Sequence, residues 1–198
     1  MLKQSPSQTV GPFFAYGLTP ESYGKPGIAT NVLVNTVTEG ERIRIEGRVL
    51  DGAGQPVNDA MIEIWQANTH GRYNHPDDNR SEVPLDTRFK GFGRTATDSG
   101  GKFWFETIKP GQVPSRGNAL QAPHISIVFF SRGILVHAYT RLYFSDEAAA
   151  NEIDPVLSSV AEARRGTLIA AREETPGGAV YNFDIHLQGD DETVFFDA

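Results

Sequence analysis

Short runs of alternating apolar and polar residues, each closed by a glycine-rich turn, limit this 198-residue chain more than any other feature. In the run that begins at Glu41, Ile43, Ile45, Gly47 and Val49 fall on one face, and Arg42, Arg44, Glu46 and Arg48 on the other. A period of two describes a half-buried strand and no other regular element. Asp51-Gly52-Ala53-Gly54 is a turn, and residues 60–65 resume as a more apolar strand. Residues 94–98 and 102–108, joined by Asp98-Ser99-Gly100-Gly101, predict a hairpin. A second is predicted from residues 125–130 and 134–144, with Ser131-Arg132-Gly133 at its tip. Alternation returns over residues 179–187, where Tyr181, Phe183, Ile185 and Leu187 share a face. Short strands at this spacing predict a mainly β chain, an antiparallel sandwich or barrel.

The remaining segments read differently. The first forty residues carry Pro6, Pro12, Pro20 and Pro26 with five glycines between and after them, which prevents long regular elements. Residues 1–40 are therefore expected to form an extended arm, with Phe13, Phe14, Tyr16 and Tyr23 as the apolar area by which it lies on another surface. Residues 71–88 are polar, contain Pro76 and Pro84, and predict a long surface loop. Helix is confined to the later third. Ser145-Asp146-Glu147 supplies a cap and first-turn acids before Ala148-Ala149-Ala150, and residues 157–172 leave room for one or two more short helices around Gly166. No linker divides residues 41–198, which are expected to form a single domain.

Composition excludes several functions. A net charge of −7 disfavours nucleic acid as a partner. With no cysteine in the chain, zinc–thiolate sites and thiol nucleophiles are impossible, and a reducing compartment is unopposed. The N-terminal residues lack the apolar stretch of a signal peptide, and no apolar run is long enough to span a bilayer, so the expected location is the cytoplasm.

Residues able to do chemistry are few. The five histidines are His70, His75, His124, His137 and His186, of which His124 and His137 are placed to face each other across the second hairpin. Glu63, between Ile62 and Ile64, reads as the solvent side of a strand. There is no HExxH, phosphate loop or GxSxG. Residue patterns alone stop at a mostly β domain.

Five collinear motifs go further: Trp65-Gln66-Ala67-Asn68 with Gly71-Arg72-Tyr73; Gly91-Phe92-Gly93-Arg94-Thr95 with Thr97-Asp98; Ile108-Lys109-Pro110-Gly111; Pro123-His124-Ile125; and Thr140-Arg141-Leu142-Tyr143-Phe144. In order and spacing the chain resembles the intradiol ring-cleaving dioxygenases over nearly its whole length. The resemblance implies a β-sandwich core with added loops and short helices. Active members hold a ferric ion with two tyrosines and two histidines, donors suited to that hard cation. Tyr73 matches the first tyrosine and His124 the first histidine. The second tyrosine position holds Val113, the second histidine position Ser126, and an arginine expected three residues before His124 is Gln121. Tyr73 and His124 are accordingly expected to be relict, structural residues, with no metal bound by this chain.

One branch of the family is built from two homologous subunits in an (alpha-beta)n assembly, and only beta keeps the iron ligands; the chain resembles alpha. The resemblance then implies that Fe(3+) is held by the beta subunit, and that this chain helps line beta's pocket for O2-dependent cleavage of protocatechuate to 3-carboxy-cis,cis-muconate. Arg132 matches an active-site arginine whose fork suits the substrate carboxylate. Gly11 and Pro12 match an arm segment beside the pocket, and Phe13 stands where a tyrosine is usual, so these four are the expected substrate-facing residues. Two alternatives stay open: a self-sufficient iron enzyme with altered ligands, drawing on Tyr73, His124 and His137, and a β-sandwich that binds without chemistry.

Overall fold

The computed structural model describes residues 11, 14–115, 117 and 119–197. Its strands are β1 (Arg42–Leu50), β2 (Met61–Trp65), β3 (Phe92–Ala96), β4 (Lys102–Ile108), β5 (Val113–Pro114), β6 (Leu120–Gln121), β7 (His124–Phe130), β8 (Ala138–Phe144), β9 (Ile169–Thr175), β10 (Gly178–Asn182) and β11 (Ile185–His186). β4, β1, β10 and β9 make one layer, with β11 extending the end of β1; β3, β2, β7 and β8 make the other. β9 joins them. Its first residues pair with β8, Tyr143 against Ile169 and Phe144 against Ala170, and the rest pairs with β10.

The inward faces are those the alternation marks. Ile43, Ile45 and Val49 of β1, Phe103 and Phe105 of β4, and Tyr181 of β10 meet Ile62, Ile64, Ile125, Ile127, Phe129 and Leu142 in one buried cluster. A smaller cluster of Ala122, Tyr143, Leu157, Val160 and Leu168 lies beneath the helices. The fold is the expected β-sandwich, but its sheet is mixed: β1 runs parallel to β10 and β11, and β8 parallel to β9. Hairpins produce only antiparallel neighbours. The parallel pairs arise where the chain returns after the helical excursion between β8 and β9.

Three local expectations need correction. β3 and β4 do not pair; β3 lies on β2 and β4 on β1. The turn between them does form, its Asp98 carboxylate accepting from the Gly100 and Lys102 amides at 2.8 and 2.9 Å. It carries the chain from one layer to the other, because Phe103 and Phe105 reach the core from the opposite side. In the second hairpin β8 begins at Ala138, so the tip is longer and leaves Leu135 and Val136 exposed. Finally, helix stops earlier: α1 (Ala15–Leu18) lies in the arm, and α2 (Ala148–Ile153), α3 (Pro155–Ser159) and α4 (Glu162–Arg165) are followed by a 3-10 turn, Gly166–Leu168, before β9. Ser145 does not cap α2; its hydroxyl accepts from the Arg172 amide at 3.0 Å.

The described arm is tied to its own domain. Leu33 N donates to the Glu106 carbonyl (2.8 Å), and Arg94 N to that of Thr30 (3.1 Å). Phe14, Tyr16, Tyr23 and Ile28 remain exposed.

Much of the first motif is architectural. Gln66, buried at the end of β2, spans the sandwich: its Nε2 donates to the Ile108 carbonyl (2.9 Å) and its Oε1 accepts from Thr107 Oγ1 (2.7 Å). Asn68 folds the loop that follows, its Oδ1 accepting from His70 N and Arg72 N and its Nδ2 donating to the Pro84 carbonyl. Gly71 has φ +77°, and a Cβ there would sit 1.8 Å from the Gln112 carbonyl oxygen. This backbone contact docks the Tyr73 loop on the Val113 segment, and only glycine permits it.

Candidate functional site

Tyr73, Val113, His124 and Ser126, four positions far apart in sequence, line one open cleft of about 800 Å³. Sheet pairing places them. Ser126 on β7 lies between Trp65 of β2 and Arg141 of β8. His124 begins β7, Val113 belongs to the small β5–β6 ribbon, and Tyr73 comes from the docked loop, where its ring stacks on Trp65 at 5.7 Å between centroids.

His124 is buried, and its Nδ1 lies 2.8 Å from the Ala122 carbonyl. Facing an acceptor, Nδ1 carries the proton, and Nε2 is left as an acceptor. Desolvation, aided by the Arg141 charge, lowers the imidazole pKa to about 4. Burial pushes the Tyr73 phenol up. The carboxylate nearby, Asp78, is held by Arg80 and accepts from Tyr73 N at 2.8 Å; the Arg80 hydrogen bond brings its pKa down to about 2.

Arg141 was not singled out by sequence reasoning. Its Nη1 donates to Gln121 Oε1 at 2.6 Å and approaches the Tyr143 hydroxyl at 3.5 Å, so the guanidinium stands in the cleft. Position 121 carries no charge, but a positive charge stands beside it, since Arg141 is bound to that same glutamine. One phenol resisting ionisation, one imidazole, a neutral hydroxyl, a valine and a resident cation do not fit a ferric ion, which requires several anionic or strongly basic donors.

His137 does not join His124. It sits beside the Phe130 end of β7, roughly 20 Å along the strand from His124 at about 3.4 Å per residue. Its Nε2 lies 2.6 Å from the Tyr139 hydroxyl. Nor is Glu63 on the solvent side. It is largely buried in an ion pair with Arg94 (2.5 Å), whose Nη1 also holds the Leu18 carbonyl of the arm at 3.1 Å.

A second cleft, about 470 Å³, opens on another part of the surface, lined by Gly11, Tyr23, Asp59 and Arg132 among others. Arg132 is two-thirds exposed and ion-paired with Asp59, a residue that sequence reasoning did not single out. Gly11 and Arg132 are therefore brought together; Pro12 and Phe13 lie outside the described residues.

The family model described as "Dioxygenase" matches residues 27–189. The chain belongs to the intradiol ring-cleaving dioxygenases. Among members of this dioxygenase family, it is 47% identical to the protocatechuate 3,4-dioxygenase alpha chain of Burkholderia cepacia, over 99% of this chain and 98% of that one. It is 43% identical to the alpha chain of Pseudomonas putida, over 100% and 98%. The beta chain of the B. cepacia enzyme is 38% identical over 84% of this chain and 72% of its own length. An intradiol ring-cleavage dioxygenase from Tetranychus urticae shares the fold, with a TM-score of 0.63 over 93% of this chain and 94% of that one at 19% identity. The β-sandwich that the family resemblance implies is present, and no helix among the described residues is long and apolar enough to cross a membrane.

Proposed function

We propose that this chain is the alpha-type subunit of a cytoplasmic protocatechuate 3,4-dioxygenase, without iron of its own, that completes the active site of a homologous iron-bearing beta subunit. The assembled enzyme inserts both atoms of O2 between the hydroxyl-bearing carbons of protocatechuate, giving 3-carboxy-cis,cis-muconate. The ferric ion, held by the partner, supplies the activation of the catechol ring.

What carries the reading is the fate of the four ligand positions. They converge on one cleft, as in an iron enzyme, yet only Tyr73 and His124 are donors and Arg141 places positive charge among them. The similarity to two alpha chains over their full lengths supports the same reading.

This chain's own contribution lies at the second cleft. Arg132 presents its guanidinium to the substrate carboxylate and fixes which end of the ring faces the metal. Gly11 borders the same space, and the arm packs on the partner through Phe14, Tyr16 and Tyr23, whose apolar surface this chain leaves exposed. Before substrate arrives, Asp59 occupies the guanidinium that the substrate carboxylate then takes over.

The test is kinetic. In the chain co-expressed with an iron-binding homologue, Arg132→Ala raises KM for protocatechuate by roughly tenfold, the low end for an exposed charge-assisted pair, and leaves KM for catechol, which has no carboxylate, unchanged. Equal changes for the two substrates refute the role of Arg132, and absence of ring cleavage in the complex refutes the subunit reading.

A further inference from the structure

The cleft that holds the four ligand positions is not collapsed. It remains open at about 800 Å³, close to the upper end of the range for small-molecule sites. Its walls are aromatic. Trp65 and Phe92 are paired across β2 and β3, and Tyr73 stacks on Trp65 with 12° between planes. Arg141 lines it too, and among the described residues its hydrogen bonds go to neutral groups, Gln121 and Tyr143. Tyr143 in turn donates to the buried Asp154, so that carboxylate is reached only through an intervening hydroxyl.

The other charges around the cleft are already engaged. Asp78 and Arg80 neutralise each other at 2.6 Å, and Asp77, at the rim and fully in water, lies 3.7 Å from His75. His124, whose Nε2 is left as an acceptor by the Nδ1 bond, lines the same cleft as Ser126. We propose that this cleft binds a planar aromatic carboxylate without any metal, the carboxylate on the Arg141 fork, the ring against Trp65 and Tyr73, and a ring hydroxyl donating to His124.

The chemistry is selective. Among the described residues the Arg141 guanidinium hydrogen-bonds through Nη1 alone, which leaves N–H groups for a planar carboxylate, and flat walls favour a ring over an aliphatic acid. Such a site is distinct from the one that includes Arg132, so each pair of chains takes up two molecules, one at the iron and one here.

The inference does not depend on the subunit reading, but the protein to test is the assembly with its iron-bearing partner. Equilibrium dialysis against 4-hydroxybenzoate counts all sites, and the visible absorption of the ferric centre reports only those at iron. Two sites per pair are expected, one of them silent in the iron spectrum. Arg141→Met weakens the silent site by at least about tenfold and spares the reported one; Arg132→Ala does the reverse. A count of one per pair in the unaltered assembly overturns the proposal, whether or not the variants fold. So does a silent site indifferent to Arg141→Met. If the chain binds no iron-bearing partner, the subunit reading fails, while a dialysis count of one on the chain still supports this site.

Discussion

Asp154 offers a stringent test of how the cleft around His124 is built. It is fully buried, and four donors converge on its carboxylate. Oδ1 accepts from Val156 N (2.9 Å), Leu157 N (2.7 Å) and the Tyr143 hydroxyl (3.1 Å), and Oδ2 accepts from Ala122 N (2.7 Å). One side chain therefore caps α3 and pins the segment that enters β7 at His124. Removing an N-cap acceptor costs about 1–2 kcal/mol, and leaving the buried Ala122 amide without a partner costs about 1–3 kcal/mol. The two share one neighbourhood and do not add fully. Asp154→Ala should cost about 3 kcal/mol in urea unfolding, or roughly 6–12 °C in Tm for a chain of this size. Asp154→Asn should cost about half as much by the same reckoning, since it keeps the Oδ1 acceptor and presents an N–H to the Ala122 amide. A loss below about 1 kcal/mol for alanine, or equal losses for the two variants, refutes the account of Asp154 as a shared acceptor.

Other outcomes can be stated briefly. The His124 pKa is depressed in the folded state, from 6.5 to about 4, so between these values the unfolded chain binds the proton and the folded one does not. Stability from this group is full above about pH 6.5 and falls by roughly 3 kcal/mol toward pH 4, a slope that His124→Gln should remove in pH-dependent unfolding. Gly71→Ala forces a Cβ onto the Gln112 carbonyl at positive φ and should cost at least about 2 kcal/mol, with lost protection of the Tyr73 loop in hydrogen exchange. Asp59→Asn releases Arg132 from its ion pair and should lower KM for protocatechuate by about two- to fivefold, a surface-pair magnitude. An unchanged or raised KM contradicts the idea that Asp59 and the substrate carboxylate share one guanidinium.

The inward faces of the strands were legible because alternation is a local property. Ile43, Ile45 and Val49 are buried where the period of two puts them, and Tyr181, Phe183 and Ile185 follow the same rule. Pairing was less legible. The turn at Asp98 has the chemistry of a hairpin, but which strand lies beside β4 is decided by the layer that Phe103 and Phe105 must cover, and that depends on residues sixty positions away. The helix caps show the same limit. Ser145 has the right neighbours for a cap and is used elsewhere, whereas Asp154 followed by Pro155 is the cap that forms. At the site, Tyr73 and His124 were found through motifs. Arg141 stood inside a motif and went unnoticed, because its meaning depends on Gln121, twenty residues earlier and brought beside it only by the sheet.

Iron content tests the central claim most directly: that the four converging positions no longer make a metal site. In the assembly with an iron-bearing partner, iron measured per pair of chains should be near one, and Tyr73→Phe in this chain should leave it unchanged. Iron near two per pair in the unaltered assembly, or a fall on removing the Tyr73 hydroxyl, would contradict the account.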